Sequence, residues 1–338
     1  MPNSDSTTKK SPQSSNSKPV LIEIRSDYAG QRLDNYLITY LKGVPKSHIY
    51  RIIRKGEVRV NKGRKKADYR LQAADVIRIP PIRTAEPTKQ APLSKNLREI
   101  LLQSILYEDS NLLILNKPVG LAVHGGSGIQ LGLIEAMRVL RDELHFLELV
   151  HRLDRETSGC LVLAKKRSAL RALHESMREN QWQKRYLCLV QGEFRGAKRL
   201  IDRPLLKNVV ASGERIVRVH PSGKPARTKF AAITTTKKGN PEEAWSLLQA
   251  DLLTGRTHQI RVHCQSIGHP IACDERYGDK AFSRWARGQG LHRMFLHAHR
   301  LRLRLPGNDQ RLDITAPLDN ELLKFMTNIG CNSGFNKL

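Results

Sequence analysis

Residues 149–164 read Leu149-Val150-His151-Arg152-Leu153-Asp154-Arg155-Glu156-Thr157-Ser158-Gly159-Cys160-Leu161-Val162-Leu163-Ala164. Two apolar runs, Phe146 to Val150 and Cys160 to Ala164, enclose a charged stretch. Short apolar runs bounded by turn residues predict buried strands, so the charged stretch is expected as a loop at a sheet edge, where functional residues concentrate. Asp154 lies between Arg152 and Arg155, whose charges favour an ionised carboxylate. Thr157, Ser158 and Gly159 are small enough for a tight return into the second strand. Read from the residues alone, an ordinary turn with an ion pair explains the segment better than a site.

Outward from this loop, the pattern is strand-rich. Further strands are expected at Leu112 to Leu115, Tyr186 to Val190 and Ser246 to Leu252. Helices are expected at Leu131 to Leu140, Ser168 to Met177, Thr257 to Ser266 and Leu318 to Asn328. Leu301, Leu303 and Leu305 alternate with Arg300, Arg302 and Arg304, which predicts a half-buried strand with guanidiniums outward, a floor for phosphates. Strands separated by lone helices predict a mixed α/β or α+β sheet over residues 101–338.

Residues 20–81 form a separate pattern. Leu33, Tyr36, Leu37 and Leu41 recur at helical spacing; a second helix opens at Pro45 and Ser47 and stops at Gly56. Val58 and Val60 lead into Asn61-Lys62-Gly63, a hairpin signal, with a return through Val76, Ile77 and Ile79. Ten Lys or Arg and one acid fall between Lys42 and Lys66. Such an imbalance suits phosphate contact better than mere solubility, and Lys46, Arg51, Arg54, Lys55, Arg59, Lys62, Arg64, Lys65 and Lys66 are the candidate RNA-binding surface. Residues 1–19 are polar without periodicity and are expected to be a disordered tail; prolines mark a linker over 82–100.

The 338 residues carry 58 Lys plus Arg against 32 Asp plus Glu, a formal net charge of +26, with a 39% hydrophobic fraction. The surplus favours a polyanionic partner, and the hydrophobic content suffices for a core. Five scattered cysteines, none in a CxxC pair, read as buried thiols and not as a disulfide framework or a zinc site. Without a secretory signal or a membrane-length apolar run, a cytoplasmic protein is expected.

Two resemblances sharpen this reading. Residues 20–81, with their helix–helix–hairpin order and Arg32-Leu33-Asp34, resemble the S4 RNA-binding domain. His151-Arg152-Leu153-Asp154, followed by Thr157-Ser158-Gly159, resembles the signature of the RluA family of RNA pseudouridine synthases. Lys184-Arg185-Tyr186-Leu187-Cys188-Leu189-Val190 and Thr254-Gly255-Arg256-Thr257-His258-Gln259-Ile260-Arg261-Val262-His263 look like its second and third motifs. Leu115-Asn116-Lys117-Pro118 and His269-Pro270-Ile271-Ala272 agree with members that join an S4 domain to the synthase domain and act on large-subunit ribosomal RNA. The resemblance implies a mixed, mainly antiparallel catalytic sheet.

It also implies that Asp154 is the catalytic carboxylate, that Tyr186 lies against the target base and that Arg261 forms a salt bridge with Asp154. Arg152 is implied to fill the stack vacated by a flipped base; His151, Thr157, Arg256 and His258 are the further candidates for substrate binding. The implied reaction breaks the N-glycosidic bond of a uridine, turns the uracil and rejoins it through carbon, so no cofactor and no metal is expected. Whether Asp154 attacks the sugar, attacks the ring or removes a sugar proton stays open. Implied partners are 23S ribosomal RNA or a large-subunit precursor; a monomer is expected, because one protein must wrap a folded RNA. Two rivals remain: an RNA-binding assembly factor without chemistry, and a nuclease or glycosidase, which would need paired carboxylates or metal ligands.

Overall fold

A computed structural model describes residues 19–41, 43–82, 93–125, 131–196, 198–209, 215–236, 243–305 and 310–331. The tail expected at 1–19 lies outside them except for Pro19, and so do residues 83–92 of the expected linker. The chain divides into two compact units between Pro92 and Leu93.

The first unit holds β1 (Val20–Glu23), α1 (Leu33–Tyr40), α2 (Lys46–Arg54), β2 (Arg59–Val60) and β3 (Val76–Ile79), with an antiparallel sheet in the order β1-β3-β2. Leu33, Tyr36 and Leu37 of α1 meet Ile49, Ile52 and Ile53 of α2 over Val60, Ile77 and Ile79. Asp34 ties the helices together, accepting two bonds from Arg32 (3.1 and 2.7 Å) and one from the Tyr50 hydroxyl on α2 (3.1 Å). Asn61 and Lys62 both adopt positive φ (49° and 65°), as a tight hairpin turn demands. The nine candidate RNA-binding cations are all exposed.

The second unit opens with α3 (Lys95–Gln103), N-capped by Ser94 Oγ accepting from Leu97 N at 3.2 Å. This corrects the linker expectation: an amphipathic turn packed by the buried Leu101 occupies residues assigned to linker on proline content alone. There follow β4 (Ile105–Glu108), β5 (Leu112–Lys117), α4 (Leu133–Leu140), β6 (Glu148–Leu149), β7 (Ser158–Ala164), α5 (Arg167–Arg178), β8 (Gln183–Gln191) and β9 (Lys198–Asp202). Next come β10 (Leu205–Val209), β11 (Arg215–Val219), β12 (Arg227–Thr235), β13 (Trp245–Leu252), α6 (Gln259–Ser266), α7 (Lys280–Gly288), β14 (Leu296–Arg304), β15 (Arg311–Thr315) and α8 (Asn320–Asn328).

One sheet runs β4-β5-β7-β14-β8-β13-β12-β9, with β15 on β14 and β6 on β7; β10 and β11 form a separate hairpin. Every pairing is antiparallel except β7 with β14. The architecture is therefore α+β with a mixed, mainly antiparallel sheet. Central strands feed both faces: Tyr186, Cys188 and Val190 of β8 pack with Ile260 and Cys264 of α6, while Leu187 and Leu189 pack with Phe295 and Phe325. Burial on both faces is why these strands read as unbroken apolar runs. Leu301, Leu303 and Leu305 are buried and Arg302 and Arg304 face outward as expected, but Arg300 and Arg302 both bond Asp313 on β15 (2.8 and 2.7 Å), which offsets part of the row's charge.

Glu108 at the end of β4 accepts two bonds from Arg141 (2.7 Å each) and one from Lys165 (2.5 Å), joining the far ends of α4 and β7. The Arg141 guanidinium, with Lys165, holds the Glu108 carboxyl down at about 2. A depressed carboxyl contributes stability that is complete above its unfolded value near 4.5 and is lost as pH falls through 2. After allowance for partial exposure the contribution is about 2 kcal/mol. Glu108→Gln should therefore lower thermal stability at pH 7 and flatten its dependence on pH between 4.5 and 2, as read by thermal melts across that range.

Candidate active site

The loop between β6 and β7 is held by its frame before any catalytic atom is considered. Gly159 has φ +106°, and a Cβ there would sit 2.3 Å from the Ala298 carbonyl oxygen, so β14 can approach β7 this closely only past a glycine. Leu153 drops into the core beneath the loop, and Thr157 N donates to Asp154 O at 3.1 Å, closing the turn. Under the loop lies Lys117, fully buried at the end of β5. Its Nζ donates to the carbonyls of Pro118 (2.8 Å), Leu121 (2.8 Å) and Arg155 (3.0 Å). Burial pushes this ammonium down to about 7, yet three carbonyl acceptors match the three N–H groups that only the charged form offers. Lys117 thus fastens the residue after Asp154 to the β5 turn.

Asp154, partly buried, receives Arg261 Nη1 on Oδ2 at 3.2 Å, with His258 Nε2 3.7 Å from the same oxygen. Arg261 comes from α6, a helix buried along Gln259–Cys264. The bond to Asp154 is its lesser attachment. Arg261 Nε and Nη2 donate to Asp274 Oδ2 and Oδ1 at 2.7 and 2.8 Å, a bidentate pair in which the Asp274 side chain is fully buried. Burial pushes the Asp274 carboxyl up, but the guanidinium, with N–H donors from Tyr277 and Arg276, outweighs it and leaves the group below its usual value. Arg261 does pair with Asp154, and it is in addition a bridge, fixed by Asp274.

The cavity beside Asp154 has a volume of about 270 Å³, room for one extruded nucleoside but not for a duplex. Tyr186 of β8 lines it, 7% exposed, and burial raises its phenol above the usual value, so it stays protonated. Arg152 and Arg256 are exposed at its rim, the latter donating from Nε to Pro225 O at 3.0 Å; buried Thr157 lines its wall.

His151 also lines the cavity, but its Nε2 accepts the Val162 N–H at 3.2 Å and burial lowers it to about 3, so it is a neutral brace of the loop. His258 does not open α6 with a helical turn as expected; it caps the helix in the left-handed region (φ 53°) and turns toward Asp154. His263 is buried between Thr228 Oγ1 (2.9 Å) and Arg203 O (3.0 Å). Among the described residues, no group of three or more His, Cys, Asp or Glu converges as metal ligands.

Sequence reading brought together Asp154, Tyr186 and Arg261, which do share one cavity, and missed Asp274, Tyr277, Lys117 and Gln259. Gln259, 3% exposed, accepts from Thr254 Oγ1 (2.8 Å) and Arg256 N (3.0 Å) and donates to Arg227 O (3.0 Å), folding the turn before α6. A charged residue inside an apolar strand end, as Lys117 is, was the one available signal. Asp274 sits just beyond the His269-Pro270-Ile271-Ala272 stretch and offered none.

Comparison with known proteins decides the family. Residues 111–266 match the family model described as RNA pseudouridylate synthase, and residues 31–77 match the S4 domain. A protein named ribosomal large subunit pseudouridine synthase C from Haemophilus ducreyi is 56% identical over 304 residues, 88% of this chain and 92% of its own length. This chain belongs to the RNA pseudouridylate synthases. The protein of the same name from Escherichia coli (strain K12) is 54% identical over 309 residues, covering 89% of this chain and 94% of that protein. Among solved structures, human RNA pseudouridylate synthase domain containing 4 superposes with a TM-score of 0.56 at 26% identity, covering 70% of this chain and 96% of the human one. An RNA pseudouridine synthase is an isomerase, so the rival classes of silent assembly factor and nuclease give way.

Lys117→Met in this synthase removes three hydrogen bonds and leaves buried carbonyls short of a donor. The expected cost is about 3 kcal/mol, visible as a lower melting temperature and a lower urea midpoint. An unchanged melting temperature would show that the loop is held by other contacts.

Proposed function

We propose that this protein isomerises uridines of large-subunit (23S) ribosomal RNA, with Asp154 as the carboxylate at the reacting centre. The observation that carries the reading is the convergence of Asp154, Arg261 and Tyr186, from a loop, a helix and a strand, on one cavity sized for a single nucleoside. The names of the 54–56% identical relatives supply the substrate class.

The reaction is an exchange of bonds within one nucleoside. The N1–C1′ bond breaks, the freed uracil turns, a C5–C1′ bond forms, and the proton lost from C5 is balanced by one gained at N1. A uridine stacked in RNA must first leave the stack at a cost of a few kcal/mol. In this reading exposed Arg152 at the rim occupies the gap and Tyr186, on the cavity wall, lies against the base. Met177, Lys184, Leu252 and Gly255 line both the cavity and an adjoining groove that also holds Arg178 and Arg227. That basic groove supports a path for the flanking RNA strand. In the first unit, the nine exposed cations of 46–66 support a second, sequence-independent phosphate contact. No helix among the described residues is long and apolar enough to cross a membrane.

Asp154→Asn keeps shape and removes charge. Its rate of pseudouridine formation should fall by at least about 10³-fold, within the range for loss of an acid–base or nucleophilic group. RNA affinity, measured by filter binding, should stay within a few-fold of the unsubstituted protein. Appreciable turnover by the purified variant would remove Asp154 from the chemistry.

A further inference from the structure

A chain of polar contacts runs from the β10–β11 hairpin to the carboxylate. Val217 N on β11 donates to the Tyr277 hydroxyl at 3.0 Å; that hydroxyl lies 2.9 Å from His258 Nδ1, and His258 Nε2 lies 3.7 Å from Asp154 Oδ2. Val217 N–H takes one lone pair of the hydroxyl, and among the described contacts Nδ1 is the acceptor within reach of the hydroxyl's own proton, so the phenol is satisfied by donating to Nδ1. The remaining imidazole proton then sits on Nε2, aimed at the carboxylate. Tyr277 is 5% exposed, its ring meets the imidazole edge-on at 5.5 Å, and Arg261 lies 5.0 Å above it. His258 keeps this direction in a left-handed backbone conformation that few side chains adopt, and strain of that kind is retained where surrounding structure and function require it.

We propose that Tyr277 and His258 are positioning residues for Asp154: the phenol fixes His258 as the Nε2–H tautomer, and that N–H orients the carboxylate beside the base. The inference rests on the reading of Asp154 given above. A gap of 3.7 Å is one that a small ring rotation closes, and catalytic hydrogen bonds commonly tighten as substrate settles. The groups facing the imidazole are Asp154 and Asp274, Arg261 and Arg276, and the Tyr277 phenol. Burial lowers the imidazole's proton affinity against the pull of Asp154, with Arg261 and Arg276 adding to the lowering. In the relay His258 is therefore a neutral donor. Without the phenol's proton on Nδ1, that nitrogen is open to a second proton, and an imidazolium would draw Asp154 into an ion pair and away from substrate.

The test is single-turnover pseudouridine formation by the full chain on an unmodified large-subunit RNA fragment, measured across pH 5–9 beside RNA affinity and melting temperature. Tyr277→Phe keeps the ring under Arg261 and should lower the rate about 10-fold at saturating enzyme, with affinity within about two-fold and the acidic limb of the pH–rate profile moved upward. His258→Gln retains an N–H near the Nε2 position, whereas His258→Leu does not. Both carry the same backbone strain at φ 53°, so their difference reads the N–H alone. Gln should recover most of the rate that Leu loses. An unshifted acidic limb and normal rate in Tyr277→Phe, or equal rates for the Gln and Leu variants, would overturn the relay. Absence of product from the unsubstituted protein would instead overturn the reading of the site on which it rests.

Discussion

Arg261 is buried between two carboxylates that reach it from different parts of the chain, and the geometry of the site depends on how it divides its donors. Asp274 takes the bidentate face at 2.7 and 2.8 Å and also accepts the backbone N–H groups of Arg276 and Tyr277, both at 3.0 Å. Only Nη1 is directed to Asp154. A bidentate guanidinium–carboxylate pair fixes direction as well as distance, so the segment after α6 is a jig that aims one N–H at Asp154. Asp154 then has a fixed partner on Oδ2 while it faces the cavity.

This arrangement separates stability from chemistry in a way that matters for reading mutants. Removing Arg261 would strand the buried Asp274, and losing one member of a buried pair typically costs about 3–5 kcal/mol. A rate loss in such a variant would mix unfolding with catalysis. Asp154, partly exposed and held by one bond, can be neutralised with little structural consequence. Lys117 on the loop's other side is likewise structural: its ammonium bonds backbone carbonyls alone and holds the turn in which Asp154 sits.

Much of this was legible in the sequence, for physical reasons that differ by element. The central strands showed as apolar runs because β7 and β8 bury both faces, and the loop at Asp154 stood out as charge between two such runs. Strand β9 was not read, because Lys198-Arg199-Leu200-Ile201-Asp202 buries only Ile201 and owes its conformation to pairing with β12. The parallel contact of β7 with β14 at Gly159 and Ala298 joins residues far apart in sequence and leaves no local trace. The site was legible where a motif carried it. Asp274 was not, since its role exists only once α6 and the turn after it are folded together. His258, a candidate for substrate binding, does line the cavity, but its left-handed cap, which brings the ring to 3.7 Å from Asp154, cannot be inferred from residue type. The linker was overextended since proline marks where a helix is interrupted but not where the next begins, and Ser94 caps α3 inside it.

The account stands or falls on uridine isomerisation in large-subunit RNA by this chain. The most direct measurement is nucleotide-resolution pseudouridine mapping of large-subunit RNA transcribed without modification, before and after incubation with the purified protein and no added cofactor. The account predicts new pseudouridines at a small set of discrete positions in otherwise intact RNA. Unmodified RNA, or RNA bearing strand breaks or abasic sites in place of pseudouridine, would contradict it.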